Sequence, residues 1–192
     1  MKASNLIVGC FVGLKPRDRI DFLCRHYMDI DTFRDVYREN VISIIGYMRT
    51  FEKNKNKEEG MNLHNVGHIS DTTAQAAFER IMIEDFFNGK SMVTNIVTDA
   101  DDQEIVSWAV LEWNAMKREH ELFSNQLKLL SRDDREIFSS YMSRKITTED
   151  IAERFCIEYE SASKKIYRIK RKLVRRLLPL LKSYDFSLKE VG

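Results

Sequence analysis

The chain has 192 residues, of which 43% are hydrophobic and 32% charged, with 7 Gly and only 2 Pro. So few turn formers exclude a β-sandwich or barrel, a collagen-like repeat and Pro/Gly-rich disorder, and point to a mainly helical protein of one or two domains. The formal net charge of +1 hides a division: residues 161–192 hold ten basic side chains against Asp185 and Glu190, a charge of +8, which leaves residues 1–160 at −7.

Residues 5–14 (NLIVGCFVGL) are apolar but short, preceded by Lys2 alone and without a small-x-small cleavage pattern, so they do not read as a signal peptide. Nothing approaches the roughly 18 apolar residues that span a bilayer. Cys10, Cys24 and Cys156 are odd in number and far apart, so no disulfide framework is expected. The expectation is a cytoplasmic protein with no membrane association.

Pro16 and Asp18 open a predicted helix with Ile20, Leu23, Tyr27 and Ile30 at helical spacing. A second begins near Asp31, with Phe33, Val36, Tyr37, Val41, Ile44, Ile45 and Met48 on one side. It runs down in the charged stretch EKNKNKEEG, where a linker over 52–69 is expected. Ser70 or Asp71 would cap the next helix, whose apolar positions are Ala74, Ala77, Phe78 and Ile81. Asn88-Gly89 breaks it. Residues 92–97 have the composition of a short strand, but no second strand is predicted to pair with it. The acidic stretch 99–104 suits the first turn of a long helix bearing Ile105, Trp108, Ala109, Leu111, Ala115 and Met116 and reaching about Phe123. A boundary is expected near 124–127.

From Leu130 the pattern sharpens. Ser131 caps a helix with Asp133 and Asp134 in its first turn and Ile137, Phe138 and Tyr141 on one face. Thr147 and Asp150 have capping-box spacing ahead of a second, short helix that buries Ile151, Ala152 and Phe155. About five residues later Ser161 is expected to cap a basic helix with the apolar stripe Ile166, Ile169, Leu173 and Leu177. A short helix, a tight turn and a basic amphipathic helix fit a helix-turn-helix, in which the second helix enters the major groove of DNA. Ser161, Ser163, Lys164, Lys165, Tyr167 and Arg168 occupy the opening turns, where base edges are within reach. Thr147, Thr148, Arg171 and Lys172 are candidates for phosphate; Lys170, Arg175 and Arg176 lie farther along and reach phosphate or solvent.

Residues 130–173 (LSRDDREIFSSY, ITTEDIAERF and CIEYESASKKIYRIKRKL) resemble region four of bacterial sigma factors without a gap. Leu130, Arg135, Glu136, Ile137, Asp150, Ile151, Ala152, Phe155, Ile157, Ser161, Arg168 and Leu173 stand at the matching positions. The chain departs at Ser131, where Pro is usual, and at Cys156, where Gly is common; a Cys fits there if its φ is not positive. No aromatic-basic segment like sigma region two is recognisable upstream. The whole chain is similar to the phage-associated ArpU/RinA-like late-gene regulators, in its helical N-terminal part, in the RIKRK-type final helix and in ISDTTAQAA at 69–77. That resemblance implies sequence-specific binding of double-stranded DNA and transcriptional activation, with RNA polymerase as a candidate partner.

Other constellations carry less. His64 and His68 have i, i+4 spacing but sit beside Gly67 in loop-like sequence, so no metal site is expected. Asp99, Asp101, Asp102 and Glu104 read as helix capping, and Trp108 and Trp113 as core or interface anchors. No phosphate-loop, nucleophile-elbow or zinc-protease motif occurs. The sequence therefore predicts an all-α protein, not an enzyme and without cofactor. It has a helical, acidic body over 1–124 for dimerisation or partner binding, followed by a sigma-region-four-like helix-turn-helix module over 125–192. An activator acting as a homodimer is the leading expectation. An alternative sigma factor, a small-terminase-like DNA-packaging protein and a protein-binding regulator stay open.

Overall fold

The computed structural model describes residues 4–58 and 72–184. Its regular structure is helical: α1 (Ser4–Gly13), α2 (Pro16–His26), α3 (Ile30–Glu58), α4 (Thr72–Phe87), one 3-10 turn (Val93–Asn95), α5 (Ala100–Lys128), α6 (Arg132–Ser143), α7 (Thr148–Arg154) and α8 (Tyr159–Tyr184). Residues 92–97 do not form a strand. The Asn95 N–H donates to the Met92 carbonyl and the Ile96 N–H to Val93, and the β-branched Ile96 and Val97 are buried without any ladder. The expected linker begins as helix, because residues 52–58 offer good helix formers and no Gly or Pro, and α3 runs on to Glu58. The rest of that linker, the cap at Ser70 or Asp71, and His64 and His68 lie outside the described residues.

Internal packing divides the chain into two units, one made of Met1–Asn5 and Asp35–Asn114, the other of Leu6–Arg34 and Ala115–Gly192. Residues 6–34 and 115–124 thus group with the C-terminal part. The expected boundary at 124–127 falls inside α5, as does the division between the units at 114/115. Charge follows the units: the first holds 8 basic and 14 acidic residues, the second 23 and 16, or −6 against +7.

In the first unit α3 buries Tyr37, Val41 and Ile45, while Val36, expected on the same side, is exposed. From α4 the buried residues are Ile83 and Phe87; the predicted face of Ala77, Phe78 and Ile81 is exposed. Phe87 meets the buried Trp113 of α5 edge-on at 5.4 Å. Gly89, at φ 72°, ends α4 in a Schellman motif, with the Lys90 N–H on the Asp85 carbonyl and the Gly89 N–H on Phe86. The Asp99 carboxylate caps α5 by accepting from the Asp101 and Asp102 amides. Glu52 accepts from the Thr98 hydroxyl and from the Thr98 and Asp99 amides. Partial burial acts to raise its pKa, but these bonds hold the carboxyl below its ordinary value. The Tyr37 hydroxyl donates to Glu112 at 2.6 Å, and burial followed by that carboxylate pushes its pKa far up.

In the second unit α2, α6, α7 and α8 pack on one another around Ile20, Leu23, Ile137, Phe138 and Ile151. Arg19 is 3% exposed; its Nη1 donates to the carbonyls of Val12 and Leu14, which tethers the turn after α1. Its Nε lies 3.1 Å from Glu119 Oε2 in α5, itself 4% exposed, an ion pair not aligned for a hydrogen bond. Tyr27 packs on His120 and Phe123, and its hydroxyl shares a 3.1 Å hydrogen bond with Ser124. No described helix is long and apolar enough to cross a membrane.

Candidate nucleic-acid interface

The site starts from two short-range devices. Ser131 caps α6 by accepting from the Asp134 amide. Thr147 and Asp150 form a reciprocal box at the start of α7: the Thr147 N–H donates to Asp150 Oδ2 at 2.7 Å and the Asp150 N–H to Thr147 Oγ1 at 3.2 Å. The Thr147 backbone bond, then its hydroxyl bond, lowers the Asp150 pKa.

The turn after α7 is tighter than the sequence suggested. The Ile157 N–H reaches back to the Ala152 carbonyl at 3.0 Å and the Cys156 N–H to Glu153 at 3.1 Å, a Schellman motif with Cys156 in the position that glycine usually fills. Cys156 has φ 51°, so the condition under which a Cys was expected to fit this turn is not met, and a residue with a Cβ takes the left-handed step. The chain turns in few residues because this left-handed step satisfies two terminal carbonyls of α7 at once. α8 follows at Tyr159, and the Glu158 carbonyl accepts from the Ala162 N–H. Ser161 therefore lies inside the first turn and is not the cap. Ala152 and Ala162 are both buried, and their small side chains suit the close packing of α7 on α8.

Along α8 the buried stripe is Ala162, Ile166, Ile169, Leu173, Leu177 and Leu181, which turns the polar positions outward. At 100° per residue, Lys164, Arg168, Arg171 and Arg175 share the face opposite that stripe, and all four are exposed. Ser161, Lys165 and Lys172 fall toward α6, where with Asp134 and Arg168 they line a groove of about 380 Å³. Ser163 and Tyr167 lie on the opposite flank, both exposed.

The expected contacts thus differ in availability. Lys164 pairs with Glu160 at 2.9 Å on the surface, and Lys165 reaches Asp134 at 3.8 Å. Among the described residues no carboxylate pairs with Arg168, Arg171, Lys172 or Arg175. The Thr147 hydroxyl is already engaged by Asp150, while Thr148 is half-buried. Lys170 is tied to Asp21 of α2 at 2.9 Å, which sequence reasoning missed because no local pattern announces a contact between segments so far apart. Arg17, on the same helix as Asp21, was missed for the same reason. The described residues hold no group of three or more His, Cys, Asp or Glu placed to bind a metal ion.

No family model, no curated protein and no solved structure matches this chain.

Proposed function

We propose that the protein is a sequence-specific regulator of transcription that binds double-stranded DNA through a helix-turn-helix formed by α7 and α8, and is not an enzyme. The observation that carries the reading is the exposed face of α8 bearing Lys164, Arg168, Arg171 and Arg175, opposite its core stripe and directly after a tight turn from α7. The opening turns of α8 would lie in the major groove. There Lys164 and Arg168 are suited to guanine O6 and N7, and Ser161, Ser163 and Tyr167 to hydroxyl contacts with bases or phosphates. Arg171 and Lys172 would hold phosphates and supply salt-dependent affinity. The likeness to sigma region four and to ArpU/RinA-like regulators supports the same reading.

In vitro selection of genomic fragments by the purified protein tests it. A shared motif upstream of an operon is the expected outcome. Salt-sensitive capture without a motif would reduce α8 to a charge patch and refute sequence-specific regulation.

A second role is favoured by the first unit, which leaves Tyr47, Phe51, Phe78 and Ile81 more than half exposed. Large apolar side chains left in water suit a protein contact, and we assign that contact to homodimerisation, which would let two modest half-site affinities combine on one operator.

A further inference from the structure

α2 contributes to the surface that α8 presents. Asp21 Oδ1 lies 2.9 Å from Lys170 Nζ, and that hydrogen bond raises the Lys170 pKa against the effect of partial burial. Lys170 stays charged, and its charge is balanced by Asp21 within the protein. Beside the pair runs an open groove of about 400 Å³, lined by Arg17 of α2 and by Tyr167, Arg171 and Arg175 of α8. The Arg171 guanidinium stands 5.8 Å from the centre of the Tyr167 ring, which helps to hold it in place. Among the described residues no carboxylate pairs with Arg17, Arg171 or Arg175. Among the described residues the groove therefore offers three guanidinium groups without a carboxylate partner, around one carboxylate that is already engaged.

Such a set takes an anion, and its position along α8 indicates which. At 1.5 Å per residue, Arg171 and Arg175 lie about 18 and 24 Å beyond Tyr159. The major groove is roughly 12 Å wide. A recognition helix reads bases with its opening turns, so with those turns in the groove these two arginines, farther along, would reach the phosphate strand at its edge. Arg17, which lines the same groove from α2, would face that strand from a different helix.

We propose that α2 and the second half of α8 form a clamp for the phosphate backbone of duplex DNA, with Arg17 supplying a contact from outside the helix-turn-helix. This deepens the DNA-binding reading and rests on it. Guanidinium forks match paired phosphate oxygens, and such contacts fix register without reading sequence. The packing of α2 on α8 through Ile20 and Leu23, with the Asp21–Lys170 bond at its edge, sets where Arg17 stands.

The test is equilibrium binding of the full chain to two duplexes over a range of salt, one duplex recovered by selection with the wild-type protein and the other scrambled. Arg17→Ala should weaken both duplexes alike, about three- to tenfold, and flatten the dependence of log K on log salt by about 0.9. Arg17→Lys should restore most of that slope. An unchanged slope in Arg17→Ala, with the wild type binding normally, overturns the clamp and leaves the DNA reading standing. A loss confined to the selected duplex also overturns it, since that marks a base contact. A wild-type protein that binds neither duplex overturns the DNA reading and the clamp together.

Discussion

Cys156 holds φ at 51°, a conformation that costs a residue with a Cβ roughly 1–2 kcal/mol. Glycine escapes that cost but is more flexible when unfolded, so Cys156→Gly should stabilise the protein by about 1 kcal/mol. The check is a higher urea midpoint at unchanged m-value. A lower midpoint would mean that the thiol contributes contacts outweighing the backbone strain. Arg168 presents the opposite case, an exposed side chain whose removal should leave stability alone. Arg168→Ala is expected to cost about 1–3 kcal/mol on the selected site and far less on a scrambled duplex, read by competition binding. Lys165, drawn toward Asp134, should matter less than its sequence position suggests, whereas the exposed Lys164–Glu160 pair is weak and readily exchanged for DNA.

Between elements, the buried contacts in the second unit make sharper demands. Arg19 of α2 and Glu119 of α5 are both nearly inaccessible, so removing one takes a close opposite charge away from the other where water cannot replace it. Arg19→Met alone should destabilise by about 3–5 kcal/mol, and the double change Arg19→Met with Glu119→Leu by much less. A denaturation cycle in which the two single losses simply add would refute this coupling. His120 of α5 contributes a pH dependence. Burial lowers its pKa below 6.5, and Arg34 opposes its charge as well, although Asp31 at 3.5 Å acts in the other direction. The folded state therefore prefers the neutral ring, and below pH 6.5 the unfolded chain binds more protons. Stability should be flat above that value and fall as the pH drops through the folded pKa. His26, also lowered by burial and then by Arg144, adds to the same trend. Urea midpoints at neutral and mildly acidic pH should differ less in His120→Gln than in wild type; an equal difference would clear His120 of the effect.

For the whole molecule, the +7 and −6 charges of the two units let one chain carry a strongly basic part without a large net charge. Tyr47 and Phe51, one turn apart on α3 and 74% and 62% exposed, are the residues on which the proposed dimer should depend. Sedimentation equilibrium is expected to give a dimer, and Tyr47→Ser with Phe51→Ser a monomer; a wild-type monomer at all concentrations would remove that role. Much of this architecture was legible in the chain. The capping box at Thr147 and Asp150, the cap at Ser131 and the stripe of Ile166, Ile169, Leu173 and Leu177 depend on neighbours within a turn or two, so spacing alone revealed them. The apolar face of α4 was misread because Ile83 and Phe87 are as apolar as Phe78 and Ile81, and only packing chooses between the two pairs. The grouping of residues 6–34 with the C-terminal helices, the Asp21–Lys170 bond and the nearness of Arg17 to Arg171 and Arg175 were likewise invisible. Local sequence determined where α6 and α7 start and which face of α8 is basic, because capping and side-chain period act over a few residues. The tertiary structure alone decided which helix lies against α8, because that choice rests on burial shared between segments that the sequence keeps far apart.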